Sequence, residues 1–373
     1  METLSSGGSR LPLAVREAGS KLRSKPKRWL VTGSAGFIGS HLVEALLRLG
    51  QRVVSIDNFE TGHRSNLEAV RAAVGDAAWR QHEFVEADIA DPDACRRVCE
   101  GAHVVLHQAA LGSVPRSISE PLRAHEVNAT GFLNILVAAR DARVERFVYA
   151  SSSAVYGDAP ALPKIEDRTG HPLSPYALTK CVDEMYADVF ARCYGVASIG
   201  LRYFNVFGPR QDPNGQYAAV IPRWVEAMLQ DKPIVIYGDG ETTRDFCYVA
   251  NVVQANLLAA TSDDPRAIGQ VYNVAVGGRM SLNALYGLLR SLILERYAGC
   301  SIRDPIYESF RPGDIRDSQA DIGKARSLLG YDPTHDVRTG LRETLPAYEA
   351  SIRETGSARR GNVKHANGIP QSE

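Results

Sequence analysis

The chain has no apolar run approaching the ~20 residues that a membrane-spanning helix needs, so no membrane partner is expected. It has no excess of either charge: Lys plus Arg and Asp plus Glu both total 43 in 373 residues. A protein without a global field does not gather nucleic acid electrostatically, and an anionic ligand must be caught by local groups. Cysteine is sparse. Of Cys95, Cys99, Cys181, Cys193, Cys247 and Cys300, only the first two could share a helix face, and no second Cys/His pair stands at zinc-ligand spacing. The thiols read as structural, no metal is expected, and nothing asks for an oxidising compartment. The first 27 residues lack the continuous apolar stretch of a secretory signal. There is no internal repeat. Together these absences describe a cytoplasmic globular protein.

What is present is a strand–helix rhythm. The short apolar segments RWLVTG, RVVSID, EFVEAD, VVLHQAA, RFVYASS and SIGLRYFN alternate with helix-period stretches such as 37–49 and 122–140. Such alternation implies right-handed crossovers and a parallel sheet covered on both faces. The fold class is therefore α/β, a doubly wound Rossmann-type sheet with a smaller, interleaved C-terminal substrate domain. Residues 1–27 read as an amphipathic or flexible extension and 28–205 as the dinucleotide-binding domain. After the Pro/Gly-rich FGPRQDPNGQ the rhythm breaks. Residues 206–247 and 277–353 form the second domain, 248–276 return to the first sheet, and 354–373 are too poor in apolar residues to fold.

Gly33, Gly36 and Gly39 follow the first strand directly. The first permits a tight turn, the second lets backbone approach a pyrophosphate, and the third lets helix and strand pack closely. Asp57 ends the next strand, where its carboxylate can accept both adenosine ribose hydroxyls and repel a 2′-phosphate. NAD is therefore expected over NADP. Asp88 closes the third strand, placed to meet the adenine edge, with a strand-end cap as the plain alternative.

Tyr176 and Lys180 stand one helical turn apart, 24 positions after Ser152. A free phenol, with a pKa near 10, is a poor base at neutral pH. An ammonium on the same helix face, with the positive nicotinamide ring, favours the phenolate and makes it usable. Ser152 can hold the reacting hydroxyl and the ketone formed from it. His107 reads as a packed, hydrogen-bonded residue, since no metal partner adjoins it.

TGSAGFIGSHL, DNFETG, HQAALGSVPRS, SSSAVYGD, SPYALTK and LRYFNVFGPRQDP together resemble the extended short-chain dehydrogenase/reductase family, and within it the nucleotide-sugar 4-epimerases. HQAALGSVPRSI and DPNGQYAAVIPRW are most similar to the bacterial subgroup acting on UDP-GlcNAc and UDP-GalNAc. The resemblance implies that Tyr176 takes the proton from the sugar 4-hydroxyl while hydride passes from C4 to NAD⁺. The 4-keto sugar then turns over, and both return, inverting C4. In that family the active hydroxyl stands four residues before the tyrosine of the xYG turn, here Tyr156, which selects Ser152. The chain departs from the family's commoner SSSATVYG spelling by one missing residue in this turn.

The resemblance also implies further cofactor contacts at Phe37, Ile38, Asn58, Ile89, Gln108, Ala109, Ala110, Asn128 and Tyr203. For the substrate it implies Ser113, Ser153 and Asn205, with Ala219, Val220 and Trp224 flanking uracil and Tyr237 closing the pocket. Arg244 and Arg311 would take the diphosphate bidentately, with Asp314 nearby. Ser318 would wall the pocket around the C2 substituent, where a small residue admits an N-acetyl group. Its plain alternative is the N-cap of the helix ADIGKARSLL. Helices near 118–140 and 175–194 imply a homodimer through a four-helix bundle.

Three other readings compete. A 4,6-dehydratase needs an acid/base pair right after the active hydroxyl, and Ser153 and Ala154 cannot serve. A 4-epimerase of a UDP-N-acetylhexosaminuronic acid would need only one extra donor, and the sequence leaves it open. A non-catalytic NAD-binding sensor would have no need of Ser152, Tyr176 and Lys180.

Overall fold

A computed structural model describes residues 12–212, 219–297, 301–310 and 316–350. Seven strands form the central sheet: β1 (Arg28–Thr32), β2 (Arg52–Asp57), β3 (His82–Glu86), β4 (Val104–His107), β5 (Arg146–Ser152), β6 (Ser198–Tyr203) and β7 (Gln270–Val274). Every pairing is parallel, in the order β7-β6-β5-β4-β1-β2-β3. This is the doubly wound arrangement expected from the alternation, with its switch point between β1 and β4. The strands read as unbroken apolar runs because both faces are covered. Trp29, Val31 and Leu106 enter one core, and Leu30, Val105 and Phe147 enter the other.

The helices are α1 (Leu13–Ser24), α2 (Phe37–Arg48), α3 (Arg64–Trp79), α4 (Pro92–Cys99), α5 (Val114–Ser119), α6 (Pro121–His125), α7 (Gly131–Asp141), α8 (Pro175–Tyr194), α9 (Val220–Leu229), α10 (Val249–Thr261), α11 (Leu282–Arg296) and α12 (Gly323–Leu329), and residues 337–350 are helical as well. The first core takes side chains from α1, α2, α10 and α12, and the second from α4, α7 and α8. A third core joins α9, α11 and residues 337–350 into the smaller unit.

Two stretches differ from expectation, and a third settles an open one. Of the extension read as amphipathic or flexible, residues 13–24 form an amphipathic helix, because Val15, Ala18 and Leu22 make an apolar stripe that buries in the first core, alongside α10. Part of the stretch assigned to the second domain (Ala320, Ile322, Ala325, Leu329 and Tyr331) packs into the first core instead. The helix read near 118–140 is interrupted at Glu120, between α5 and α6, where the pre-proline residue is pushed out of the helical region. From Pro121 to Asp141 it runs on as α6, a π-helical turn (Glu126–Thr130) and α7 without leaving the helical region at the joins.

Candidate active site

Sequence places the phosphate loop at the sheet's switch point by steric necessity. Gly33 turns with φ of +67°, and a Cβ there would lie 2.8 Å from the Ala109 backbone after β4. A Cβ on Gly39 would fall 2.0 Å from the Gly33 carbonyl oxygen. Only glycine lets the two loops and α2 converge. The first turn of α2 has no side-chain cap, so its leading N–H groups are available to an anion. Ser34, fully buried in this loop, has a hydroxyl with no hydrogen-bond partner among the described residues. The cradle fits a dinucleotide pyrophosphate.

Asp57 accepts the N–H of Ala35 (2.9 Å) through one oxygen and that of Phe59 (2.8 Å) through the other. Burial raises its pKa, and these amides pull it part of the way back. Each oxygen keeps a lone pair for a ribose hydroxyl. Asp88 accepts the N–H of Ala90 (2.8 Å), which is the strand-end cap, and is bound by Asn58 (3.0 Å) and Arg123 (2.8 Å). Arg116 and Arg123 are both engaged by Glu60, at 2.7 and 2.5 Å. Neither is left as a free guanidinium for a 2′-phosphate, which favours NAD over NADP in the same way as Asp57.

Several expected cofactor contacts have protein partners already. Gln108 is held by Tyr203 (3.0 Å) and Asn256 (3.2 Å), and Asn128 by Leu111 N (2.8 Å) and Thr179 (3.1 Å). Asn128 thus fixes the loop after β4 from within the π-helical turn, a common device at functional sites. Ile89 is buried against Gly131, while Phe37, Ile38, Ala109 and Ala110 stay half-exposed around the cleft. His107 is packed between Phe132 and Phe147 and paired with Thr32 Oγ1 at 2.9 Å; burial lowers its pKa to about 3.

The three consecutive serines separate by direction. Ser151 Oγ donates to Glu184 (2.5 Å), itself clamped by Arg202. Ser152 Oγ accepts the Ala154 N–H (3.1 Å) and keeps its own proton to donate. Ser153 opens the half-exposed turn that follows. Tyr176 enters α8 just after its N-cap Ser174 and Pro175, and its N–H is taken by Ser117 Oγ (3.0 Å). Lys180 is 2% exposed and donates to the Ala150 carbonyl (3.0 Å) and Asp183 (3.1 Å). Burial works against its charge, but Asp183 and Tyr176 together hold its pKa above the ordinary value. Ser117, Thr179, Asn256 and Asp183 were not singled out from sequence. Only Asp183 left a signal there, the i, i+4, i+7 spacing with Tyr176 and Lys180.

Asn205, Ala219, Val220, Trp224, Tyr237 and Arg244 line one cavity of about 390 Å³. Asn205 donates to Asp245 O (3.1 Å), and Arg244 Nη1 to Thr243 O (2.8 Å). Ser113 caps α5 by accepting the Arg116 N–H (3.1 Å). Ser318 lies beside Thr243, to whose carbonyl its N–H donates at 3.1 Å, and it is not the α12 N-cap, which is Ile322. Arg311 and Asp314 lie outside the described residues.

A doubly wound sheet with a glycine-lined phosphate cradle and a Tyr–Lys pair beside a serine defines a nicotinamide-dependent enzyme acting on a hydroxyl–ketone centre. Residues 29–275 match the NAD dependent epimerase/dehydratase family, and the chain belongs to that family, with NAD as its cofactor. It is 36% identical over 320 residues to the UDP-glucose 4-epimerase of Mycolicibacterium smegmatis, covering 85% of this chain and 97% of the relative. The solved UDP-N-acetylglucosamine 4-epimerase of Methanobrevibacter ruminantium, in complex with UDP-N-acetylmuramic acid, is 38% identical, with a TM-score of 0.79 over 88% of this chain and 99% of that one. The UDP-glucuronic acid 4-epimerase of Bacillus cereus, solved with UDP-glucuronic acid and NAD, is 30% identical, with a TM-score of 0.77 over 87% and 99%.

Proposed function

We propose that the protein inverts C4 of a UDP-hexose, interconverting UDP-GlcNAc and UDP-GalNAc, with UDP-Glc and UDP-Gal as a second pair. The observation that carries this reading is the single cavity lined by Asn205, Ala219, Val220, Trp224, Tyr237 and Arg244, six positions expected to hold a uridine diphosphate. Bound NAD⁺ supplies the hydride acceptor. Tyr176, supported by the Lys180 ammonium, takes the 4-hydroxyl proton and later gives it back to the C4 oxygen as hydride returns to the opposite face of C4. Ser152 donates its free proton to the C4 oxygen. Arg244, with Arg311, holds the diphosphate while the 4-keto sugar turns.

The preference for an N-acetylated sugar rests on Ser318, a small side chain beside Arg244's strand. It is supported by the 38% identity to an enzyme named for UDP-N-acetylglucosamine. The Bacillus cereus neighbour supports a second reading, a uronic-acid substrate. The chain is further proposed to act as a homodimer through α5, α6 and α8. The test incubates purified protein, without added NAD, with UDP-GlcNAc, UDP-Glc or UDP-GlcA, and resolves products by anion exchange. Appearance of UDP-GalNAc is expected. Ser318→Tyr should cut that conversion by about 100-fold, the scale of a steric rejection, and leave UDP-Glc conversion in place. Conversion of UDP-GlcA alone would replace the leading assignment.

A further inference from the structure

Tyr176, Lys180 and Asp183 occupy i, i+4 and i+7 of α8, one continuous face of the helix. Asp183 is fully buried, and its Oδ2 lies 3.1 Å from Lys180 Nζ. Its other oxygen meets no hydrogen-bond donor among the described residues. An ammonium has three N–H groups. Two are committed, to Ala150 O and Asp183, which leaves one for the cleft.

A buried lysine without a counterion sheds its proton easily, with pKa values falling to about 5–6 in extreme cases. A neutral amine would give no support to a phenolate. The charged and titratable groups facing Lys180 and Asp183 come from three elements: Tyr176, Cys181 and Glu184 on α8, His107 on β4 and Tyr149 on β5, with Arg202 on β6 behind Glu184. Glu184 is spent on Arg202, at 2.9 and 2.7 Å, and on Ser151. His107 is neutral, and burial keeps the Tyr149 phenol protonated. Asp183 is the carboxylate in contact with the ammonium.

We propose that Asp183 is a positioning residue that keeps the Lys180 ammonium charged and fixed against β5, so that Tyr176 can serve as base. The proposal rests on the reading of Tyr176 as that base. Burial pushes the Asp183 carboxyl up and the ammonium pulls it back, leaving it at about 7. Tyr176 and Asp183 are seven residues apart, ~10 Å along the helix axis, with Lys180 between them. Removing the Asp183 charge therefore acts first on Lys180, whose proton affinity falls, and an uncharged amine no longer helps the phenol give up its proton.

The test uses NAD-loaded enzyme and the pH profile of turnover on UDP-GlcNAc and UDP-Glc. Asp183→Asn and the smaller Asp183→Ser, either of which suffices if the other misfolds, should move the acid limb of that profile to higher pH by about one unit. They should also cut the kcat plateau roughly tenfold, with KM little changed. A folded neutral variant with the wild-type profile and plateau would reduce Asp183 to packing, as would a limb moved to lower pH. If Tyr176→Phe matches wild type in turnover, the base assignment itself fails, and this proposal with it, whatever the Asp183 variants do.

Discussion

His107 illustrates how a single side chain carries more than its sequence neighbourhood reveals. The motif VLHQAA suggested a packed histidine, and the structure buries it between two phenylalanines with Thr32 as partner. The unfolded chain takes up a proton near pH 6.5, whereas the folded protein refuses it down to about 3. Below 6.5 the unfolded state therefore binds more protons, and stability falls as pH is lowered through that window. At pH 5 the loss from this residue is about 2 kcal/mol. Urea unfolding at pH 7 and pH 5 should show a drop in wild type that is smaller by that amount in His107→Asn. Equal drops in the two proteins would mean that the folded state protonates His107. The glycines, Asp57 and the Tyr–Lys spacing could be read from sequence because each is a local rule. The choice of Ser152 over Ser151 has a structural counterpart that could not, because it depends on Glu184 and Arg202, 33 and 51 positions away from Ser151 in the chain. The internal partners of Asn128 and Gln108 were hidden for the same reason: a polar side chain's partner across the fold leaves no periodicity.

At the scale of elements, the six strands expected in the first half all appear, since unbroken Val/Ile/Leu runs between helical stretches admit few other packings. What escaped were elements whose identity is set by a neighbour. Residues 13–24 carry too little apolar surface to fold alone. They become helical by laying Val15, Ala18 and Leu22 into the first core, alongside α10. The π-helical turn inside the helical run after Pro121 was hidden because a one-residue change of winding leaves the apolar period nearly intact. Leu22 is 3% exposed, so Leu22→Ala should cost ~2–4 kcal/mol of stability. Turnover at saturating substrate should be unchanged, because α1 packs on the face of the sheet opposite α8. Thermal and urea denaturation beside a kinetic assay would check both halves. A loss below ~0.5 kcal/mol would mean that α1 is not docked in solution.

For the whole molecule, the informative surface lies on α5, α6 and α8. Leu122 is 86% exposed and Met185 66%, and Ile118, Leu178 and Val189 lie open beside them. Leu178, Met185 and Val189 fall on one face of α8, at spacings of seven and four, and α5 and α6 pack alongside that helix. Scattered exposed apolar residues need no explanation, but a contiguous apolar stripe across adjacent helices does. A second copy related by a two-fold axis would bury the stripe against itself, giving a self-complementary contact. Stable interfaces of this kind remove ~1,200–2,000 Å² from water, which two helices and their flanks can supply. The same α8 carries Tyr176, Lys180 and Asp183 on its buried side, so a dimer contact along its outer face would brace the helix that holds the base. The wild-type protein should sediment at twice the chain's mass at micromolar concentration. Leu178→Glu combined with Met185→Glu should sediment as the single chain, because each buried carboxylate would lack a partner. That monomer should keep its NAD but lose turnover more than it loses substrate affinity. A wild-type protein that is monomeric under those conditions would mean that no second copy covers the stripe or braces α8.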